Sequence, residues 1–148
     1  MSLLRLENWA LRAILIGDLA PGVEFDWVIP NNLRKYLLGA SFTLTTDANA
    51  ANRRPYMFIG TNSAAYHVTR VSPYLQAASL ARTYYWSLDA VDTNLLLAAD
   101  VYTFRIPPGM FLDTQHGLHI FVQDHQAGDV ISALSLFYLE SAQTDTPD

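Results

Sequence analysis

The chain has 148 residues, 51% of them hydrophobic and only 16% charged, with a formal net charge of −5. That length fits one domain with a single sizeable core, and the charged share lies well below the usual quarter or so. One lysine and eight arginines form no basic run, so nucleic-acid binding through phosphates is not expected, and the lack of cysteine excludes disulfides and thiolate chemistry. The first predicted element is an arm, residues 1–20. Leu3, Leu4, Leu6, Trp9, Leu11, Ile14, Leu15 and Ile16 settle into no single period, so a short helix and an extended segment remain equal alternatives. Glu7 and Arg12 interrupt the apolar run that export or a membrane span would need. The expectation is a chain made and kept in a cytoplasm, with no membrane partner. Burying five of the arm's apolar side chains would contribute on the order of 8–15 kcal/mol before entropy is subtracted. Such an arm should dock, either on its own domain or on a neighbouring subunit. Pro21-Gly22 ends it as a turn.

Residues 21–140 read as a series of strands. Val23, Phe25, Trp27 and Ile29 alternate against Glu24 and Asp26. The stretch 33–46 is a long strand with a bend expected near Gly39. Tyr36, Leu38, Ala40, Phe42 and Leu44 are placed on one face, with Lys35, Ser41, Thr43 and Thr45 mostly on the other. Further strands are expected over 55–61, 65–71, 81–88, 102–106, 117–124 and 130–140. Longer crossings over 73–79 and 89–99 favour Greek-key or jelly-roll topology over simple hairpins. The fold class is therefore all-β: a two-sheet antiparallel sandwich of jelly-roll type, roughly eight strands, preceded by an arm. Residues 141–148 are polar and small and read as a flexible tail.

Chemical motifs are sparse. His116 and His119 are three apart, so a strand sends them to opposite faces and gives no metal-ligand pair. His119 should share its face with Phe121 and Gln123, opposite Leu118 and Ile120. His67 has no nucleophile elbow to serve. Glu24 and Asp26 read as a solvated face, since glycosidase carboxyls must sit across a cleft, roughly 5–10 Å apart. Asp124 and Asp129 bracket a turn rather than a calcium loop. Arg53-Arg54 reads as part of a solvated loop beside Asp47. Among the aromatics, Tyr84, Trp86, Phe25 and Trp27 are assigned to the core, which leaves Tyr85 to meet a ligand. No cofactor, metal or catalytic residue is expected.

The stretch Phe42 to Arg54, followed by the strand Tyr84 to Leu88, resembles small structural proteins of tailed-bacteriophage virions. So does Ile106-Pro107-Pro108-Gly109, then Leu118, then Gln126-Ala127-Gly128-Asp129 and an apolar last strand. The resemblance covers most of Val23 to Leu139 and leaves out the arm. It implies a jelly-roll-like, non-enzymatic virion protein assembled in the host cytoplasm. The role implied is capsid decoration or cement, or else a tail or head–tail component. Its partners would be virion proteins, above all the major capsid protein, and further copies of itself in a dimer or trimer. Leu3, Leu6, Trp9, Leu11, Ile14 and Ile16 of the arm are the expected interface residues. A carbohydrate-binding jelly roll is the alternative from another class.

Overall fold

The computed structural model describes residues 9–30, 33–61, 66–88, 90, 96–98 and 100–142, with the backbone alone at 66–69, 96–98 and 142. Alternating apolar and polar residues fold into strands β1 (Ala10–Gly17), β2 (Phe25–Val28), β3 (Leu33–Thr45), β4 (Arg54–Thr61), β5 (Tyr66–Val71) and β6 (Ala81–Ser87). They continue as β7 (Leu96–Ala98), β8 (Val101–Arg105), β9 (Phe111–Leu112), β10 (His116–Gln123) and β11 (Val130–Ala142). The larger sheet runs β1-β11-β3-β6-β8-β7, with β9 also paired to β3, and the smaller runs β2-β10-β4-β5. The chain leaves β3 for β4 and β5 in the other sheet and returns to β6 beside β3. It leaves the large sheet again for β10 and returns as β11 on the other side of β3. These crossings make a jelly-roll-type sandwich, antiparallel except where β6 runs parallel to β8. The strands number eleven among the described residues, against about eight expected. The three additions are β1, formed by the arm, and the short β7 and β9.

The core lies between the sheets. Phe42, Tyr84, Trp86, Tyr102 and Phe104 form its centre, with Phe42 stacked on Tyr84 and Trp86 at centroid distances of 5.4 and 5.3 Å. Leu118, Ile120 and Val122 of β10 supply the opposing face. His119, Phe121 and Gln123 point away from it, the split a two-residue period demands.

Two bulges rephase the long central strands, and one corrects the sequence reading. Gly39 pairs with Phe137 and Leu37 with Tyr138, so Leu38 is an extra residue in β3. Before it Lys35 and Leu37 face the core, and after it Ala40, Phe42 and Leu44 do. Tyr36 and Leu38 are therefore not on the core face assigned to them, because one inserted residue reverses the alternation. The second bulge is in β11, where Ala133 takes a φ of 49° and its N–H donates to Asp18 Oδ1 at 3.0 Å.

Burial of Lys35 follows from the first bulge. Its ammonium donates to Glu140 Oε2 at 2.6 Å and lies 4.2 Å from the centroid of Tyr138 and 4.9 Å from that of Trp27. Removing the acid leaves that charge buried without its counter-ion. Glu140→Gln should therefore lower stability by about 2 kcal/mol, between an exposed and a fully buried pair, read as a lower urea midpoint.

The crossing over 73–79 is held by Gln76, which is fully buried. Its Nε2 donates to Leu44 O at 2.8 Å and Leu80 O at 2.9 Å, and its Oε1 accepts from Tyr84 Oη at 2.8 Å. Desolvation pushes the Tyr84 phenol far up, so it remains a donor at any working pH. Gln76→Leu would orphan the buried Tyr84 hydroxyl and take a donor from the Leu44 and Leu80 carbonyls, the second of which still accepts from Thr46 N, and should reduce stability by about 2–4 kcal/mol in the same urea assay.

Candidate interaction surface

The outer face of the large sheet, which looks away from the core, carries a group of exposed apolar side chains on β1, β11 and β6. Its rows follow from the register. Ala13, Phe137, Gly39 and Ser87 lie side by side across β1, β11, β3 and β6, and Leu15, Ser135, Ser41 and Tyr85 form the next row. Leu15 is 75% exposed, Leu11 58%, Phe137 44% and Tyr85 43%. Small residues between these side chains leave an open depression of about 320 Å³ floored by Gly39, Ser41 and Ser135. A Cβ at Gly39 would come within 3.1 Å of Trp86 O, a tight contact that favours bare backbone at that point of the floor. Ser41 Oγ and Ser135 Oγ are hydrogen-bonded at 2.7 Å, which leaves spare hydroxyl capacity facing the depression. Tyr85 points outward, on the face its strand position predicts.

The arm residues divide by strand parity once Ala10–Gly17 is extended. Leu11, Ala13 and Leu15 face outward, while Arg12, Ile14 and Ile16 lie on the core side. Ile16 packs partly buried against the core, and Ile14 stays 37% exposed at the sheet margin. Trp9 rests on Phe111, centroids 6.0 Å apart, and Phe111 on Tyr36 at 4.8 Å. Leu3 and Leu6 lie outside the described residues. Leu15 and Phe137 are members of the face that sequence reasoning did not select. The alternation of 11, 13 and 15 is their signal, visible only if the arm is read as a strand.

Other constellations have structural partners of their own. Arg53 is fully buried, not in a solvated loop. Its Nε donates to Asp129 Oδ2 at 2.9 Å, Nη2 to Asp129 Oδ1 at 2.9 Å and to Asp47 Oδ1 at 2.5 Å, and Nη1 to the carbonyls of Asn49 and Ala51. The bond to Asp129 raises the guanidinium pKa against the pull of burial. Burial alone would raise the Asp129 carboxyl, but Arg53 and the N–H groups of Asp47 and Gln126 outweigh it and hold it below the carboxylate range. Asp129 is thus a structural acid closing the turn, and its sequence neighbour Asp124 takes no part in that network.

The paired acids Glu24, just before β2, and Asp26, within it, are also more engaged than a solvated face would be. Glu24 Oε1 accepts from Val122 N at 3.1 Å and lies 3.7 Å from His125 Nδ1. Asp26 bonds His119 Nδ1, whose ring stacks on Phe58 at 4.7 Å. His116 Nδ1 bonds Asp113 Oδ1 at 2.6 Å. Burial pushes the Asp113 carboxyl up, but the Gln115 N–H and His116 more than offset it. These three histidines each take a separate carboxylate. Among the described residues no three His, Asp or Glu side chains gather as metal ligands. The side chain of His67 lies outside the description.

No family model matches the chain, and no curated protein matches it. Solved structures do. A chain of the T13 IBDV viral particle aligns with a TM-score of 0.40 and 10% identity, over 95% of this chain and 33% of that one. A chain of the infectious bursal disease virus Gx strain aligns with a TM-score of 0.34 and 11% identity, over 93% and 37%. PfGH50B aligns with a TM-score of 0.34 and 15% identity, over 95% and 19%. The chain therefore spans well under half of each.

Proposed function

We propose that this chain is a non-enzymatic structural protein of a virion, in the first instance a capsid decoration or cement protein of the tailed-bacteriophage kind that its sequence resembles. The observation that carries the proposal is the apolar outer face of the large sheet. Leu11 and Leu15 on β1, Phe137 on β11 and Tyr85 on β6 stand exposed on one face of four neighbouring strands, of which three, β11, β3 and β6, cover the core. A rigid sheet with exposed apolar side chains around a small-residue depression and little charge is suited to bury area against another protein. Bound to a shell, it would stabilise that shell by mass action. The proposed partner is the major capsid protein, and the proposed location is the virion surface.

Immuno-electron microscopy of purified virions, with antibody against this chain, tests the location. Label over the shell is expected. Label confined to the neck or tail replaces the decoration role with a head–tail or tail role, and unlabelled virions end the reading. Phe137→Asp should abolish incorporation while leaving the melting temperature within about 3 °C, because an exposed substitution costs little stability. Normal incorporation of that variant would mean the face is not the contact.

One observation favours a second reading. Tyr85 stands beside the Ser41, Ser87 and Ser135 hydroxyls, an aromatic surface next to hydrogen-bonding groups, as sugar stacking requires. A glycan array should then give a signal that Tyr85→Ala removes; a blank array eliminates this alternative.

A further inference from the structure

We propose that β1 pairs antiparallel with β1 of a second copy of this chain, across a twofold axis at Ala13, joining two large sheets into one. The inference rests on the geometry of β1 alone and not on the virion reading. Among the described residues β1 pairs only with β11, so its far side is an open row of backbone donors and acceptors. The usual protections of such an edge are thin. Residues 10–17 contain no proline, no lysine and one charge, Arg12, which leans back toward Glu140 of its own chain at 3.7 Å.

The pattern of side chains says what covers the edge. In an antiparallel ladder, residues directly opposite each other share a face. A twofold axis normal to the sheet keeps the two outer faces on the same side, so odd residues must oppose odd ones. Three registers then remain near the middle of the strand. Centring on Arg12 sets that charge against its own copy and is disfavoured. Centring on Ile14 sets Leu11 against Gly17 and leaves it without an apolar partner. Centring on Ala13 sets Leu11 against the second copy's Leu15, and Leu15 against its Leu11. It also sets Arg12 against Ile14 and the small Ala13 against itself. The outward sequence Leu11-Ala13-Leu15 is palindromic about Ala13, which is what a self-complementary contact requires and a foreign strand does not. The same pairing would cover the two most exposed leucines of the described chain. It would also bring the depressions beside Ala13 in both copies together as one trough.

Light scattering on the full chain and two double variants, with cross-linking of two single-cysteine variants, tests this. The wild type is expected at twice the 16.5 kDa chain mass. Leu11→Lys/Leu15→Lys sets lysine against lysine twice and should weaken the dimer at least tenfold. Leu11→Lys/Leu15→Glu sets lysine against glutamate twice and should restore it, which a merely hydrophobic contact would not do. Both positions are exposed, so unchanged circular dichroism confirms folding. Because the chain has no cysteine, Ala13→Cys supplies a lone thiol whose Cα would lie about 4.5–5.5 Å from its copy, within disulfide range. It should cross-link under mild oxidation, whereas Leu75→Cys, on an exposed loop, should not. A monomeric or trimeric wild type, a double-lysine dimer of unchanged affinity, or equal cross-linking at 13 and 75 would overturn the proposal. A confirmed dimer that is missing from virions would instead leave this inference standing and remove the virion reading.

Discussion

Arg53→Met is expected to lower stability by about 3–5 kcal/mol, enough to unfold much of the population of a marginally stable domain. The reason is what the substitution leaves behind. Asp129 would stay fully buried, with its carboxylate deprived of both guanidinium bonds, and the carbonyls of Asn49 and Ala51 would lose the guanidinium as a donor. Adding Asp129→Leu should recover only part of the loss, because Asp129 also accepts from the N–H groups of Asp47 and Gln126. Urea titrations of the two variants check both statements, and full recovery in the double variant would contradict the second. The network also sets a pH dependence. The folded pKa of Asp129 lies below its ordinary value, so its stabilisation is fully present above about pH 4 and is lost as pH falls through the depressed folded value. Urea midpoints of the wild type should hold from pH 7 to about 5 and then fall. In Asp129→Asn the fall should be shallower from a lower plateau.

Trp86→Ala should cost about 3–5 kcal/mol. Its ring is 1% exposed and touches Phe42 at 5.3 Å, Phe104 at 5.4 Å and Tyr84 at 6.1 Å, so truncation opens a cavity at the centre of the aromatic column. Trp86→Phe should cost far less, about 1–2 kcal/mol, for two reasons. Phenylalanine fills most of the space, and the buried indole Nε1, which has no hydrogen-bond partner, disappears with the substitution. Thermal melts of the two variants separate packing from the orphan donor. Equal losses would show that ring volume is not what the site requires.

The eight strands read from the sequence correspond to β2, β3, β4, β5, β6, β8, β10 and β11, because period-two alternation and turn residues are local signals. The outward direction of His119 and Tyr85 came from the same rule. The rule failed at Tyr36 and Leu38, since a bulge is defined by the partner strand and Leu38 has no local mark of being the extra residue. It also could not choose between helix and strand for residues 10–17. That segment is extended because β11 offers it a ladder, a partner more than a hundred positions later in the chain.

Arg53 gives the sharpest contrast. Beside Asp47, two asparagines and three alanines it reads as a loop cation, and its burial depends on Asp129, 76 residues away. By itself the sequence determined an all-β sandwich, the inner and outer sides of most strands, and the absence of any local catalytic signature, because each of these is written within ten residues or so. Only the tertiary structure decided which charges are buried, where the alternation changes phase, and that an apolar face of four strands meets an open edge at β1. Those features arise from pairs of residues distant in the chain, and no local pattern encodes which pairs will meet.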